Sequence, residues 1–444
     1  MTRPLISILL AGASVLTAAE PRKIFPYPYE QTDFPNGLRL ITVPTDFPKI
    51  VALYIVVNAG SRNEVEAGKS GFAHFFEHVM FRGTKKNPPQ KWEATMKAAG
   101  AATNAFTSDD LTAYHATFAK EGLASIIELE ADRFQNLDYA ENLFRTEALA
   151  VNGEYNKNSA QPASKLHEVM RDAAFDAHTY KHTTMGFLAD IKAMPEQYAY
   201  SKQFFDRFYR PEYTTVIVVG DVKTAEVKAL VEKHWGGWKR GSYVAEIPKE
   251  PAQKGERKGH VDWPTPTAPW ISVGYKVPGY SDNDKETAAL NIISALAFGP
   301  TSPAYQRLVL QEQKVDFIGG GASPHVDPYL FTVMSRIKKD ADIEAVRETI
   351  VSTLNGLKDT LIDVKKLDAV KKNLRYSFAL SMDESEAIAD ALARAVALRR
   401  TPETLNNLYA MYEQVTPEDI REVARKYFVE SGRTVVTLTG PKAK

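Results

Sequence analysis

Tyr213-Thr-Thr-Val-Ile-Val-Val-Gly-Asp221 and Arg433-Thr-Val-Val-Thr-Leu-Thr-Gly-Pro441 are two versions of one pattern. Each is a β-branched apolar run of strand length that stops at a turn signal. Each follows a helical pattern opened by a proline, Pro195 to Phe208 in one case and Pro417 to Phe428 in the other. Tyr213 and Arg433 stand 220 positions apart, so one helix–strand–turn unit is used twice. The openings correspond as well. Ile50 to Val57 is a strand leading through Gly60 to a helix near Ser70, and Trp270 to Val277 leads through Gly279 to a helix near Asp284. Between them, 241–264 is rich in Lys, Glu, Pro and Gly and has no hydrophobic period, as expected of a solvated linker. The expected class is α+β in layers, with two homologous domains at 20–240 and 265–444, each a mostly antiparallel sheet packed with helices.

Composition narrows the possible functions. With 44% hydrophobic and 25% charged residues the chain is a folded globular protein. Lys plus Arg and Asp plus Glu both total 55, so the basic surplus of a nucleic-acid binder is missing. Residues 1–19 read as a signal peptide. Arg3 is followed by an apolar run from Leu5 to Leu16 and by the small residues Thr17-Ala-Ala19. That run is too short to span a bilayer, which takes roughly 20 residues. The expectation is an exported chain starting near Glu20, in a bacterial periplasm and without a membrane anchor. The sequence contains no cysteine, so any metal must be held by histidine and carboxylate, the ligand set of catalytic zinc.

The chemistry is concentrated in Gly71-Phe-Ala-His-Phe-Phe-Glu-His-Val-Met-Phe81. On a helix His74 and His78, at i and i+4, share a face, and Glu77 lies beside them. H-x-x-E-H is a zinc-hydrolase motif in which two histidines bind and the glutamate works on water. Two histidines and a glutamate buried together without a metal would be hard to satisfy. A third ligand is needed. A predicted helix from Asn142 to Asn158 carries Glu147 and Glu154 seven apart on one face, but on spacing alone such a pair reads as a solvated surface.

The sequence resembles the M16 peptidases, the family of pitrilysin, insulinase and the mitochondrial processing peptidase. The resemblance rests on H-x-x-E-H at 74–78 and on Glu147-Ala-Leu-Ala-Val-Asn-Gly-Glu154, whose last residue lies 76 positions beyond His78. It implies one zinc ion per chain held by His74, His78 and Glu154, with Glu77 acting on water and Glu147 supporting the site. It also matches Asn104, Ala105, Phe106 and Thr107 to the family's substrate-binding edge strand, where an extended peptide adds as a further strand. The implied activity is that of a zinc metalloendopeptidase holding its substrate between two double-domain halves. Active members carry an arginine and a tyrosine in the second half, where this sequence has Gln311 and Phe317. A homologous partner subunit is therefore expected to supply that pair. The competing readings are a non-catalytic assembly or binding subunit and a zinc hydrolase of non-peptide substrates. Gly319-Gly-Gly321 is expected to be a bulge or hinge, and His178 and His182 to be surface or hydrogen-bonding histidines.

Overall fold

The computed structural model describes residues 23–441. The expected signal peptide and the start at Glu20 lie outside them. Eleven strands form two sheets among the described residues. The first contains β1 (Glu30–Asp33), β2 (Arg39–Pro44), β3 (Ile50–Val57), β4 (Ala102–Thr107), β5 (Thr112–Ala119) and β6 (Thr214–Gly220), in the order β1-β2-β6-β3-β5-β4. The second contains β7 (Arg257–Asp262), β8 (Trp270–Val277), β9 (Val315–Ala322), β10 (Tyr329–Ile337) and β11 (Arg433–Thr439), in the order β7-β11-β8-β10-β9. In each sheet the strand closing the half pairs in parallel with one neighbour and antiparallel with the other, and the remaining pairs are antiparallel. The repeat is thus one topology used twice, with β1 added to the first copy.

Both faces of each sheet are covered. In the first half run α1 (Phe72–Val79), α2 (Pro89–Ala98), α3 (Leu123–Asn136), α4 (Glu141–Ser159) and α5 (Pro162–Ala174). Leu53, Ile55 and Val57 of β3 pack with α1, α3 and α4 on one face. On the other face Tyr54 and Val56 meet Ile388, Leu392 and Val396 of the helix Ser385–Arg399, which belongs to the second half. The reverse also holds: Leu166, Met170 and Ala174 of α5 pack on Val436 and Leu438 of β11. The halves exchange helices, so neither sheet is buried by its own half alone.

The expected 241–264 linker ends earlier than its composition suggested. Residues 238–256 carry no helix or strand, but Arg257–Asp262 is β7, because its backbone pairs with β11. The stretch before it is tied down, since Glu250 accepts N–H bonds from Asp176, Ala177 and His178. The glycines 319–321 form neither bulge nor hinge. They sit in the β9–β10 ladder opposite Met334, Val333 and Thr332, and the register shifts instead between Arg336 and Ile337. Two of them serve close approach: a Cβ on Gly320 would lie 2.7 Å from Val333 Cγ2, and one on Gly321 2.8 Å from Ser294 Oγ, whereas one on Gly319 would meet nothing within 4 Å.

Candidate metal centre

α1 is held in place from both ends of its sequence pattern. Its aromatic residues anchor it: Phe72 meets Tyr200 edge-on at 4.8 Å, Phe75 meets Phe144 at 5.0 Å, and Phe76 stacks on Phe204 at 5.3 Å. Gly71 precedes it at φ 94°, and a side chain there would run into Met185 O. The carboxyl of Glu64 accepts the N–H groups of Gly71 and Ala73 at 2.8 and 2.7 Å, which satisfies donors that a helix start leaves unpaired. Glu64 is fully buried, and burial pushes its pKa up to about 8 against the pull of those two bonds.

With α1 fixed, His74 and His78 project toward α4, their rings 4.8 Å apart and nearly perpendicular. Nε2 of His78 lies 3.3 Å and Nε2 of His74 3.7 Å from the same oxygen of Glu154. Three potential ligand atoms, one from each residue, lie within 4.8 Å of one another. Ligands about 2.0–2.2 Å from a tetrahedral zinc are separated by roughly 3.3–3.5 Å, so the spacing suits an ion between them. Burial, then the neighbouring His78 charge, lowers His74 to about 4, and the neutral ring is the form that binds metal. Nδ1 of His74 is buried without a hydrogen-bond partner. The two-histidine, one-carboxylate donor set therefore fits a zinc ion, and it leaves one position open for water.

Glu77 Oε2 stands 3.9 Å from His74 Nε2 and accepts a 2.7 Å bond from Thr107 Oγ1. Burial raises the Glu77 carboxyl above its ordinary range, with the Thr107 bond acting in the opposite direction. Glu147 is buried too, but its partner is Arg82, just beyond α1, rather than either histidine. It thus braces α4 against the end of α1.

β4 is the outer strand of its sheet, paired with β5 only in the sheet order, and Ala102, Thr103 and Asn104 are exposed. Ala105 packs inward, while Phe106 faces the exchanged helix, under the Arg394 guanidinium at 5.1 Å. Gln311 and Phe317 lie on the second half. Gln311 ends the helical turn before β9, and Phe317 sits on β9 with Trp270 5.5 Å away. His178 and His182 are buried hydrogen-bonding residues rather than surface ones: His178 Nε2 meets Asp327 at 3.0 Å and His182 Nδ1 meets Thr183 O at 2.9 Å. Sequence reasoning missed the Thr107–Glu77 bond and the Glu64 cap. The first joins residues 30 apart and the second crosses an irregular turn, so neither leaves a periodic signal.

Two family patterns cover most of the chain. The one described as Insulinase (Peptidase family M16) matches residues 39–187, and the Peptidase M16 inactive domain matches residues 197–374. The chain belongs to the M16 peptidase family. The zinc protease PqqE of Helicobacter pylori is 28% identical over 417 residues, 92% of each chain. A crystal structure of a protease from Helicobacter pylori superposes with a TM-score of 0.87 at 28% identity, over 93% of this chain and 99% of that one. The periplasmic protease PqqL of Escherichia coli shares the fold, with a TM-score of 0.76 at 19% identity, and this chain spans 48% of its length. Relatives that it matches along most of their length are named zinc proteases. Among the described residues no helix is long and apolar enough to cross a membrane.

Proposed function

We propose that the chain is a zinc metalloendopeptidase that hydrolyses peptides or unfolded polypeptides bound as an added strand on β4. The observation that carries this reading is the convergence of His74, His78 and Glu154 beside the Glu77 carboxylate, at the foot of an unpaired sheet edge. The chemistry a zinc ion supplies there is Lewis acidity, which acidifies water and polarises a peptide carbonyl. The remaining work belongs to the chain. Glu77 Oε takes the water proton and returns it to the departing amine, and Thr107 fixes the carboxylate that does so. The exposed backbone of β4 binds a substrate through its main chain and so tolerates varied sequences. Glu147, by holding Arg82, keeps α1 and α4 in register.

Gln311 and Phe317 offer neither a cation nor a phenol, so a homologous subunit supplies an arginine and a tyrosine to complete the site. The two-fold greater length of PqqL, whose fold this chain matches over about half, supports a paired arrangement. Export to a periplasm follows from residues 1–19 and is checked by fractionation with N-terminal sequencing of the mature chain. The experiment for the main reading is metal analysis with digestion of an unstructured peptide, by this chain alone and with a co-encoded homologue, with and without chelator. One zinc per chain and chelator-sensitive cleavage that rises with the homologue are expected. A folded chain without zinc would favour the non-catalytic assembly role, and full activity alone would remove the need for a partner.

A further inference from the structure

The second half provides none of the three potential metal ligands, yet the turn between β9 and β10 enters the first half and ends in a cluster of buried charges. His325 Nε2 lies 2.8 Å from Asp109 Oδ2, and its ring stacks on Tyr329 at 3.6 Å. Asp109 also accepts two bonds from Arg171, at 2.8 and 3.1 Å, and one from Ser61 Oγ at 2.7 Å. Asp110 accepts from the Tyr180 hydroxyl at 2.7 Å and from the Val326 N–H at 3.1 Å. Asp327 accepts from Arg62 Nε at 2.5 Å. Tyr180 N–H donates to His178 Nδ1, so His178 Nε2 is the donor in its 3.0 Å bond to Asp327. Burial would raise the Asp109 carboxyl, but Arg171 and His325 hold it far below its ordinary range.

Asp109, Asp110, Arg171, His178 and His325 are all buried. Charges taken out of water are tolerated only when every partner is in place, so such a cluster admits one geometry and penalises displacement. What it fixes is specific. Asp109 lies two residues beyond β4, whose last residue, Thr107, bonds Glu77. The backbone of Ser108 and Asp109 accepts from Ser61 N and Arg62 N, and a Cβ on Gly60 would lie 2.3 Å from Ser108 O. From that same turn Glu64 reaches forward to cap α1. The cluster therefore joins the exit of β4 to the entry of the metal helix.

We propose that His325 and Asp327 are positioning residues for the site: through Asp109 and Arg62, the second half sets where edge strand β4 stands relative to Glu77 and His74. The inference rests on the reading of β4 as the peptide-binding edge.

The test uses the full chain carrying His325→Phe, which keeps the ring over Tyr329 but has no N–H for Asp109, and His325→Gln, which offers an amide donor. Two readouts separate positioning from plain stability: amide hydrogen exchange of residues 102–107 against β8 and β11, and the Kd of an unstructured peptide for the zinc-loaded Glu77→Gln chain. For His325→Phe, zinc stays at one per chain. Exchange in β4 quickens and the peptide Kd rises, each by about tenfold, the effect of one charge-assisted bond. His325→Gln restores both to within about threefold of the parent, an amide bond replacing most of what was lost. If His325→Phe does not fold, Asp327→Asn gives the same pattern with a smaller change confined to β4 and the 60–64 turn. Unchanged β4 exchange with unchanged Kd, or exchange quickened evenly across both sheets, would overturn the proposal. If the Glu77→Gln chain with native His325 binds no peptide, the peptidase reading fails, while the exchange measurement still decides the positioning role.

Discussion

Thr107 and Glu64 both bond to α1, Thr107 to the Glu77 side chain and Glu64 to the backbone at its start. Thr107 donates to Glu77 at 2.7 Å, a hydrogen bond to a charged acceptor, and such bonds contribute about 1.5–3 kcal/mol. Thr107→Val should lower kcat by roughly tenfold to a hundredfold with zinc content unchanged, and Thr107→Ser should recover most of it. Steady-state kinetics with metal analysis checks this, and an unaltered kcat in Thr107→Val would contradict it. Glu64 is the acid whose folded pKa is raised, from 4.5 to about 8. Below 4.5 both states hold the proton and its contribution is complete. Between there and about 8 the unfolded chain releases the proton while the folded chain keeps it, so stability falls as pH rises. In Glu64→Gln, which keeps an acceptor for only one of the two helix N–H groups but cannot ionise, Tm should be lower at every pH and its decline from pH 5 to 8 shallower. An identical slope would show that Glu64 does not titrate there. His74, Glu77 and His78 stand out in the sequence because H-x-x-E-H is local, whereas Glu147 and Glu154 are singled out only by the family resemblance. The supports of the site are legible in neither way, since Asp109, Arg171 and His325 meet only after the chain has folded.

The elements themselves follow from local pattern. Ile50–Val57 and Trp270–Val277 form strands with the bounds read from their β-branched runs, and the helix expected from Asn142 to Asn158 spans Glu141–Ser159. What the pattern left open is the sheet each helix meets. The apolar stripe of the helix Ser385–Arg399, with Ile388, Leu392 and Val396, shows that one face is buried but not that it lies on β3 and β6 of the other half. Triple glycine misled for a related reason, because the same absence of a side chain serves a hinge or a close helix–strand contact. Leu392 is fully buried against the first sheet. Leu392→Ala should cost about 2–5 kcal/mol, the usual range for a buried leucine, and quicken exchange in β3 and β6. Denaturant unfolding measures this; a loss under about 1 kcal/mol would mean that the helix does not carry that face.

At the scale of the molecule, the repeat was readable from the two closing units, whereas the exchange of helices makes the two halves one folding unit. Residues 23–256 alone would leave Ile41, Val43, Tyr54, Val56 and Val219 without their cover. An apolar sheet face of that kind drives aggregation or binding of hydrophobic dyes. Expressed alone, this piece should be insoluble or dye-binding, and co-expression with 257–444 should rescue it. A cooperative, monomeric 23–256 would contradict the packing argument. The same union carries the positioning role proposed for His325 and Asp327, which lie in the half that provides none of the three potential metal ligands. The most direct measurement on the central claim is single-turnover cleavage of an unstructured peptide by zinc-loaded wild type and Glu77→Gln, each with its metal content determined. The account predicts one zinc per chain in both and cleavage only in the wild type; Glu77→Gln that holds zinc and still cleaves at the wild-type rate would contradict it.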